Sequence, residues 1–156
     1  MLDIAIANLL HLTLAVVWVG GMFFAHRLLR PAALELEPPL RLRLWHGVFR
    51  RFFFWVWLAV LLVPLSGYWL GMRMYGVLAH FPLHVHLMQG IGWLMVAVYL
   101  VVFFFPYRDF KAGVQQEDWP AAGAALAKIR QLVGLNLILG LLVVATASGG
   151  RFLLLF

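Results

Sequence analysis

The sequence predicts an all-α integral membrane protein in which a four-helix bundle crosses a lipid bilayer. Of its 156 residues, 65% are hydrophobic and only 12% are charged, which is about half the charged fraction of a soluble domain. The apolar residues also fall into four runs, each close to the roughly 20 residues that a helix needs to cross a bilayer. We therefore expect one four-span domain over residues 1–156, with no separate soluble domain.

The four predicted spans are separated by segments rich in arginine, proline or acidic residues. The spans are predicted at residues 4–28, 52–71, 84–105 and 131–149. The first connection, residues 30–51, contains three prolines and many arginines, so we expect a broken segment that lies on the membrane surface. Asp118 followed by Pro120 is typical of a helix start. Residues 121–130 are therefore predicted to form a helix that leads into the fourth span.

The basic residues are distributed unevenly between the two ends of the predicted spans. Ten of the twelve fall on one side, namely Arg27, Arg30, Arg41, Arg43, Arg50, Arg51, Arg108, Lys111, Lys128 and Arg130. Only Arg73 and Arg151 fall on the other side. Because cytoplasmic segments are enriched in Lys and Arg, we expect both termini outside and both long connections in the cytoplasm. The charge of +6 is explained by topology and does not indicate nucleic-acid binding.

Spans one and three share a spacing of chemically similar residues. In each span a His is followed by a small residue four positions later and by Trp seven positions later, as in His11, Ala15, Trp18 and in His86, Gly90, Trp93. Spans two and four both close with a Ser-Gly pair. This pattern predicts two copies of a helix pair, related by an axis along the membrane normal.

His11 and His86 are the main candidates for chemistry inside the bilayer. An ionisable residue within a span is costly and usually has a function. Both spans enter from the outer side, so the two imidazoles are predicted at similar depth, where they can ligate one b-type haem from opposite helices. Further residues predicted to line the haem or to orient its ligands are Ala15, Gly90, Trp18, Trp93, Asn8 and Gln89.

The two outer cations, Arg73 and Arg151, are predicted to pair with the haem propionates. Such a protein would exchange electrons with a quinol, a periplasmic redox protein or a reactive oxygen species. The alternative is that each histidine only hydrogen-bonds a neighbouring helix. His26 and His46 are interpreted as interfacial residues, with a second haem at His26 as a minor option.

A second class of function uses the outer methionines and histidines as copper ligands. The candidates are Met72, Met74, His80 and His84, which lie around the connection between spans two and three. Thioether and imidazole ligands suit copper, and thioethers favour the cuprous ion. The chain contains no cysteine, so thiolate metal sites and iron–sulfur clusters are excluded.

The chain resembles the small bacterial CopD-like copper-resistance membrane proteins over most of its length. The similarity includes His11 with the Trp-Val-Gly-Gly run at 18–21, the opening of span three at 83–86, Tyr107-Arg108, and the final span at 130–151. This resemblance implies copper uptake or handling by a multi-span protein of the bacterial inner membrane, with both termini in the periplasm.

The chain is also similar to the related HemJ family of protoporphyrinogen oxidases. In that family a first-span His and a Lys at the entry of the third span are implicated in haem binding. They correspond here to His11 and, with Lys replaced by His, to His86. This resemblance implies a third alternative, a haem-pathway enzyme that acts on a porphyrin, and the sequence leaves open whether the protein is an enzyme.

Overall fold

The computed structural model describes residues 1–153, apart from the side chains of residues 151 and 153. The described chain is helical and contains no strand. Four helical segments are long and apolar enough to cross a membrane, namely Leu2–Ala33, Pro38–Tyr75, Leu83–Gln115 and Trp119–Gly150. The predicted all-α, four-span membrane architecture is confirmed.

The first span changes its helical geometry near the end that carries most of the basic residues. Helix α1 covers Leu2–Phe23, a π-helical segment follows at Phe24–Leu29, and the short α2 covers Arg30–Ala33. The backbone N–H of Arg30 donates to the carbonyl oxygen of Ala25, five residues earlier. Pro31 cannot donate the next hydrogen bond, and its ring crowds the preceding turn. A wider π turn accommodates this crowding.

Helix α3 is longer than the span predicted for it. It runs without interruption over Pro38–Tyr75, 38 residues, which is about 57 Å at 1.5 Å per residue against a hydrocarbon core of about 30 Å. The predicted broken segment over 30–51 is therefore corrected, because only residues 34–37 are non-helical there. The Pro pair at 38 and 39 starts the helix instead of breaking it, since the first turn needs no N–H partner.

The extra length of α3 packs against the second half of the chain. Helix α4 covers Leu83–Phe104, α5 covers Pro106–Gln115 and α6 covers Trp119–Leu153. Apolar side chains at helical spacing on α3 are buried in the core of the bundle, namely Leu42, Trp45, Phe49 and Phe53. The ring of Phe49 meets that of Phe110, with centroids 5.6 Å apart. This aromatic cluster extends the bundle beyond its lipid-spanning part.

Two predicted helix boundaries are confirmed. Phe105 leaves helical geometry at φ −113° and ψ −89°, and Pro106 begins α5. The carboxylate of Asp118 accepts a hydrogen bond from the backbone N–H of Ala121 at 3.0 Å, as an N-terminal cap. Residues 121–130 are helical and continue into the fourth span as one helix.

The helices pack as two close pairs. Helix α1 packs mainly on α3, and α4 packs mainly on α6, so α1 and α4 lie on a diagonal of the bundle. They still meet in its middle, where the ring centroids of Trp18 and Tyr99 are 6.4 Å apart. This pairing agrees with a repeat of two helix pairs, and the two-fold relation itself stays a prediction.

The bundle exterior is apolar along the spans. Large side chains such as Val16, Leu65 and Ile138 are exposed on three different helices. Surfaces of this kind are stable against lipid and not against water. The protein is therefore a multi-pass membrane protein in contact with a lipid bilayer.

Ion pairs mark the two ends of the bundle. At one end Arg43 pairs with Glu117 at 2.7 Å, which holds the start of α3 beside the turn between α5 and α6. At the other end Arg73 pairs with Asp3 at 2.9 Å, which holds the end of α3 beside the start of α1. We call these the basic end and the rim end.

A pair of glycine substitutions tests the packing of α5 on α6. At Gly113 an added Cβ atom would lie 2.9 Å from the backbone nitrogen of Ala122, whereas at Gly123 it would meet nothing within 4 Å. We expect Gly113→Ala to lower the free energy of unfolding by about 1–3 kcal/mol through overpacking. The matched Gly123→Ala should be neutral or slightly stabilising. Thermal unfolding in detergent measures both, and equal midpoints for the two variants would contradict the described helix contact.

Candidate metal-binding residues at the rim end

His11 is anchored to α3 through one ring nitrogen. Its Nδ1 lies 2.9 Å from the carbonyl oxygen of Val63 and 3.1 Å from the hydroxyl of Ser66. A carbonyl only accepts, so Nδ1 carries the proton, and in the neutral ring Nε2 keeps its lone pair. Metal-bound histidines are oriented in this way, with the second ring nitrogen donating to a backbone carbonyl. In this orientation Nε2 is the ring nitrogen that could act as a ligand.

The neighbours of His11 on α3 are shaped to receive its ring. A Cβ atom at Gly67 would lie 2.9 Å from His11 Cε1, so only glycine leaves room for the imidazole. Ser66 is buried, and its hydroxyl donates to the carbonyl oxygen of Leu62 one turn earlier. The sequence interpretation missed this role of Ser66 and Gly67. The available signal was the Ser-Gly pair itself, which was noted only as part of the repeat.

His86 lies in a different environment. It is exposed, and its ring centroid lies 6.0 Å from that of Phe81 on the preceding turn. Gly90 is also exposed, and a Cβ atom there would meet nothing within 4 Å. Trp93 is 51% exposed and its indole N–H donates to the hydroxyl of Tyr68 at 3.1 Å. The stripe of His86, Gly90 and Trp93 therefore lies on the bundle surface beside α3.

The corresponding stripe of α1 faces the interior instead. Trp18 is 5% exposed and belongs to the core, and Ala15 is half-buried. Of the two residues predicted to orient the ligands, Asn8 is exposed and Gln89 is half-buried. No hydrogen bond within the described residues joins either of them to His11 or His86.

These positions give no support to a haem ligated by His11 and His86 between α1 and α4. The two helices are diagonal, and no ring contact among the described residues joins the two histidines. Ligation of one haem by both histidines stays a prediction, because a repeated spacing sets which residues share a helix face, but not where that face points.

The predicted propionate partners are also placed differently. The guanidinium of Arg73 pairs with the Asp3 carboxylate at 2.9 Å, and the same carboxylate accepts from the N-terminal ammonium at 2.9 Å. Arg73 thus has an internal partner, which explains a cation at this end without a propionate. The side chain of Arg151 lies outside the described residues.

The copper candidates gather on the turn between α3 and α4. Met72 and Met74 are 51% and 62% exposed on the last turn of α3. His80 is exposed at the end of a 3₁₀ turn, Leu78–His80, and His84 is half-buried on the first turn of α4. We use the term rim for these four residues together with His86, namely Met72, Met74, His80, His84 and His86.

Two close contacts fix the shape of the rim. Phe81 is buried against Gly71, where a Cβ atom would lie 2.5 Å from the Phe81 ring. His84 packs on Gly150, where a Cβ atom would lie 2.7 Å from His84 Cβ. The turn is therefore held at both sides, while the methionine and His80 side chains project freely.

The chemistry of the rim is that of a soft or borderline metal ion. The described residues contain no group of three or more His, Asp or Glu that could hold a metal by themselves. Met72 and Met74 are two positions apart and leave the helix about 200° apart, so one ion cannot easily take both. A site here would combine one thioether with imidazoles, a set that selects cuprous copper.

A family model described as Copper resistance protein D, CopD, matches residues 46–149, which is two thirds of the chain. The chain belongs to the CopD family. The match confirms the resemblance to CopD-like proteins, whereas the relation to HemJ stays a prediction. The CopD match includes the whole rim and leaves out His11. No curated protein matches the chain, and no solved structure matches it.

Glycine substitutions distinguish the pocket of His11 from the stripe of His86. Gly67→Ala should push the His11 ring off the Val63 carbonyl, because the new methyl would lie 2.9 Å from Cε1. We expect a loss of about 1–3 kcal/mol in unfolding free energy. Gly90→Ala should be neutral, since space there is open. Unfolding midpoints in detergent measure both effects. A larger loss of stability for Gly90→Ala would contradict the open space at Gly90 and would favour a ligand slot along α4.

Proposed function

We propose that this CopD-family protein is a copper-handling protein of the bacterial inner membrane that binds cuprous ions at the rim. The observation that carries the proposal is the rim itself. It places two exposed thioethers and three imidazoles within residues 72–86, all inside the segment that matches the family. Thioether and imidazole groups are the ligands that soft copper prefers.

The charge distribution supports a periplasmic position for the rim. Ten of the twelve Lys and Arg residues belong to the basic end or its connections, and such segments remain in the cytoplasm. Both termini and the turn between α3 and α4 then lie on the periplasmic side. Copper that reaches the membrane from outside would meet the rim first.

His11 is the natural next ligand inward from the rim. It contacts α3 at Gly67, five residues before Met72, which is about 7.5 Å further along the helix axis. Its Nδ1 proton is held by Val63, so Nε2 is the atom that would accept the ion. Half-burial of the ring would then favour a cuprous ion that has shed its water.

A b-type haem on His11 is the second candidate function. The observation that favours it is the same Nδ1–H to carbonyl hydrogen bond, which is typical of an axial imidazole. The exposed position of His86 gives no support to a second ligand there, so His11 would be the ligand from α1. A bound haem would supply one-electron chemistry, with a quinol or a periplasmic redox protein as the partner. A porphyrin-oxidising enzyme rests on the HemJ resemblance alone.

Copper binding by rim variants tests the leading proposal. The purified protein in detergent, loaded anaerobically with Cu(I), should retain copper against a chromogenic cuprous chelator. We expect the combination of Met72→Leu, Met74→Leu and His80→Ala to weaken this retention at least about tenfold, which corresponds to about 1.4 kcal/mol.

The matched control for the copper experiment is Met95→Leu. Met95 is buried in α4, away from the rim, and a swap of similar volume is well tolerated in a core. Its copper retention should equal that of the native chain. Equal retention by the rim variant and the native chain would refute the rim as the binding site, and copper loss in the control alone would do the same.

An optical spectrum separates the two candidate functions. We expect the purified protein to show no porphyrin absorption in either redox state. A reducible Soret band that disappears in His11→Ala and persists in His86→Ala would favour haem binding by His11 over copper binding. A band that is lost in both variants would instead favour ligation of one haem by His11 and His86 together.

A further inference from the structure

The basic end contains a second pocket, distant from the rim. It lies between the first span, α3 and α6. The space in it that the centre of a water-sized sphere can occupy is about 20 Å³. His26 and Arg30 line it from the first span, Trp45 and Phe49 from α3, and Arg130 from α6. The lining thus combines aromatic and aliphatic side chains with the side chains of His26, Arg30 and Arg130.

The charge at this pocket is not neutralised within the described part of the chain. The cations Arg30 and Arg41 repel Arg130, which is partly buried. Arg27, Arg30 and Arg130 also lie near the imidazole of His26. We define the cationic pocket as His26, Arg27, Arg30, Arg41 and Arg130.

No acidic side chain of the described residues forms an ion pair with the cationic pocket. The ion pairs of the described residues are those of Asp3 and of Arg43 with Glu117, and none of them includes a member of the cationic pocket. Like charges that converge at partly buried positions oppose folding unless an anion joins them. The pocket is therefore electrostatically incomplete.

The backbone holds these groups in place at a structural cost. His26 and Arg27 lie in the π-helical segment Phe24–Leu29, directly before Arg30 and Pro31. π-helical turns are rare and are frequent at functional sites. The ring of His26 also packs on Gly134, where a Cβ atom would lie 3.1 Å from its Cε1. Two features of the fold thus fix His26 beside α6.

The position of the pocket points to a phosphate group from the membrane. The pocket lies between helices that are long enough to span the bilayer, at the end of the bundle that carries most of the arginines. Arg30 is exposed and Arg41 is partly exposed, so a ligand can reach them from outside. Guanidinium groups bind phosphate oxygens by paired hydrogen bonds, and the small cavity admits only one or two such oxygens.

We propose that the cationic pocket binds the phosphate of an anionic phospholipid and thereby ties the first span, α3 and α6 together. Basic pockets between membrane helices bind anionic headgroups by this combination of charge and interfacial depth. The acyl chains would lie along the apolar exterior beside α1. The proposal is independent of copper or haem at the rim end.

Lipid-dependent stability tests the proposal. The native chain in detergent should gain several degrees in unfolding midpoint on addition of phosphatidylglycerol, and little on addition of phosphatidylcholine. Arg30→Gln with Arg130→Gln should remove most of this gain. The matched control, Arg108→Gln with Lys111→Gln, removes two exposed cations of α5 at the same end, and should keep it.

Two further measurements make the outcome decisive. Arg30→Gln alone changes an exposed side chain, so it should fold and lose at least half of the gain, even where Arg130→Gln does not fold. Native mass spectrometry should show phosphatidylglycerol retained by the native chain and the control, and released from Arg30→Gln. The proposal is overturned if the control loses the gain equally, if Arg30→Gln keeps it, or if millimolar inorganic phosphate reproduces it.

Discussion

The structure depends on one constraint, that lipid offers no hydrogen-bond partner to a polar group. Inside the spans several described polar side chains therefore hydrogen-bond to a nearby carbonyl oxygen. The hydroxyl of Tyr99 donates to Phe53, and those of Thr146 and Ser148 donate to carbonyls four residues earlier. His11 obeys the same rule through Nδ1, but an imidazole has a second nitrogen. This second nitrogen, Nε2, has no counterpart in a hydroxyl group within a span. It makes His11 a potential ligand within the bilayer.

The fold could be predicted from the sequence wherever composition alone decides the structure. Apolar runs specify spans, Pro106 specifies a boundary and Asp118 specifies a cap, because each acts through local backbone chemistry. The start of α3 could not be predicted in this way. Prolines at 38 and 39 can end a helix or begin one, and the choice depends on long-range contacts such as that of Phe49 on Phe110 of α5.

The candidate site could be predicted only in part. The sequence identified His11 as unusual and placed the methionines and histidines of the rim on one connection. It could not show that α4 turns His86 outward, because helix rotation is set by packing such as that of Trp93 on Tyr68. It also could not show that Gly67 makes room for an imidazole. Small residues one turn from a histidine are common in membrane helices, and only the helix contact reveals which one matters.

The account assigns different tasks to the two ends of the bundle, with soft ligands at the rim and uncompensated cations at the basic end. Its central claim is that copper is held by thioether and imidazole together. X-ray absorption at the copper edge, on the Cu(I)-loaded native chain in detergent, tests this directly. We expect a sulfur scatterer from methionine in the first coordination sphere, together with the outer-shell pattern of imidazole. A sphere of nitrogen and oxygen alone would contradict the claim.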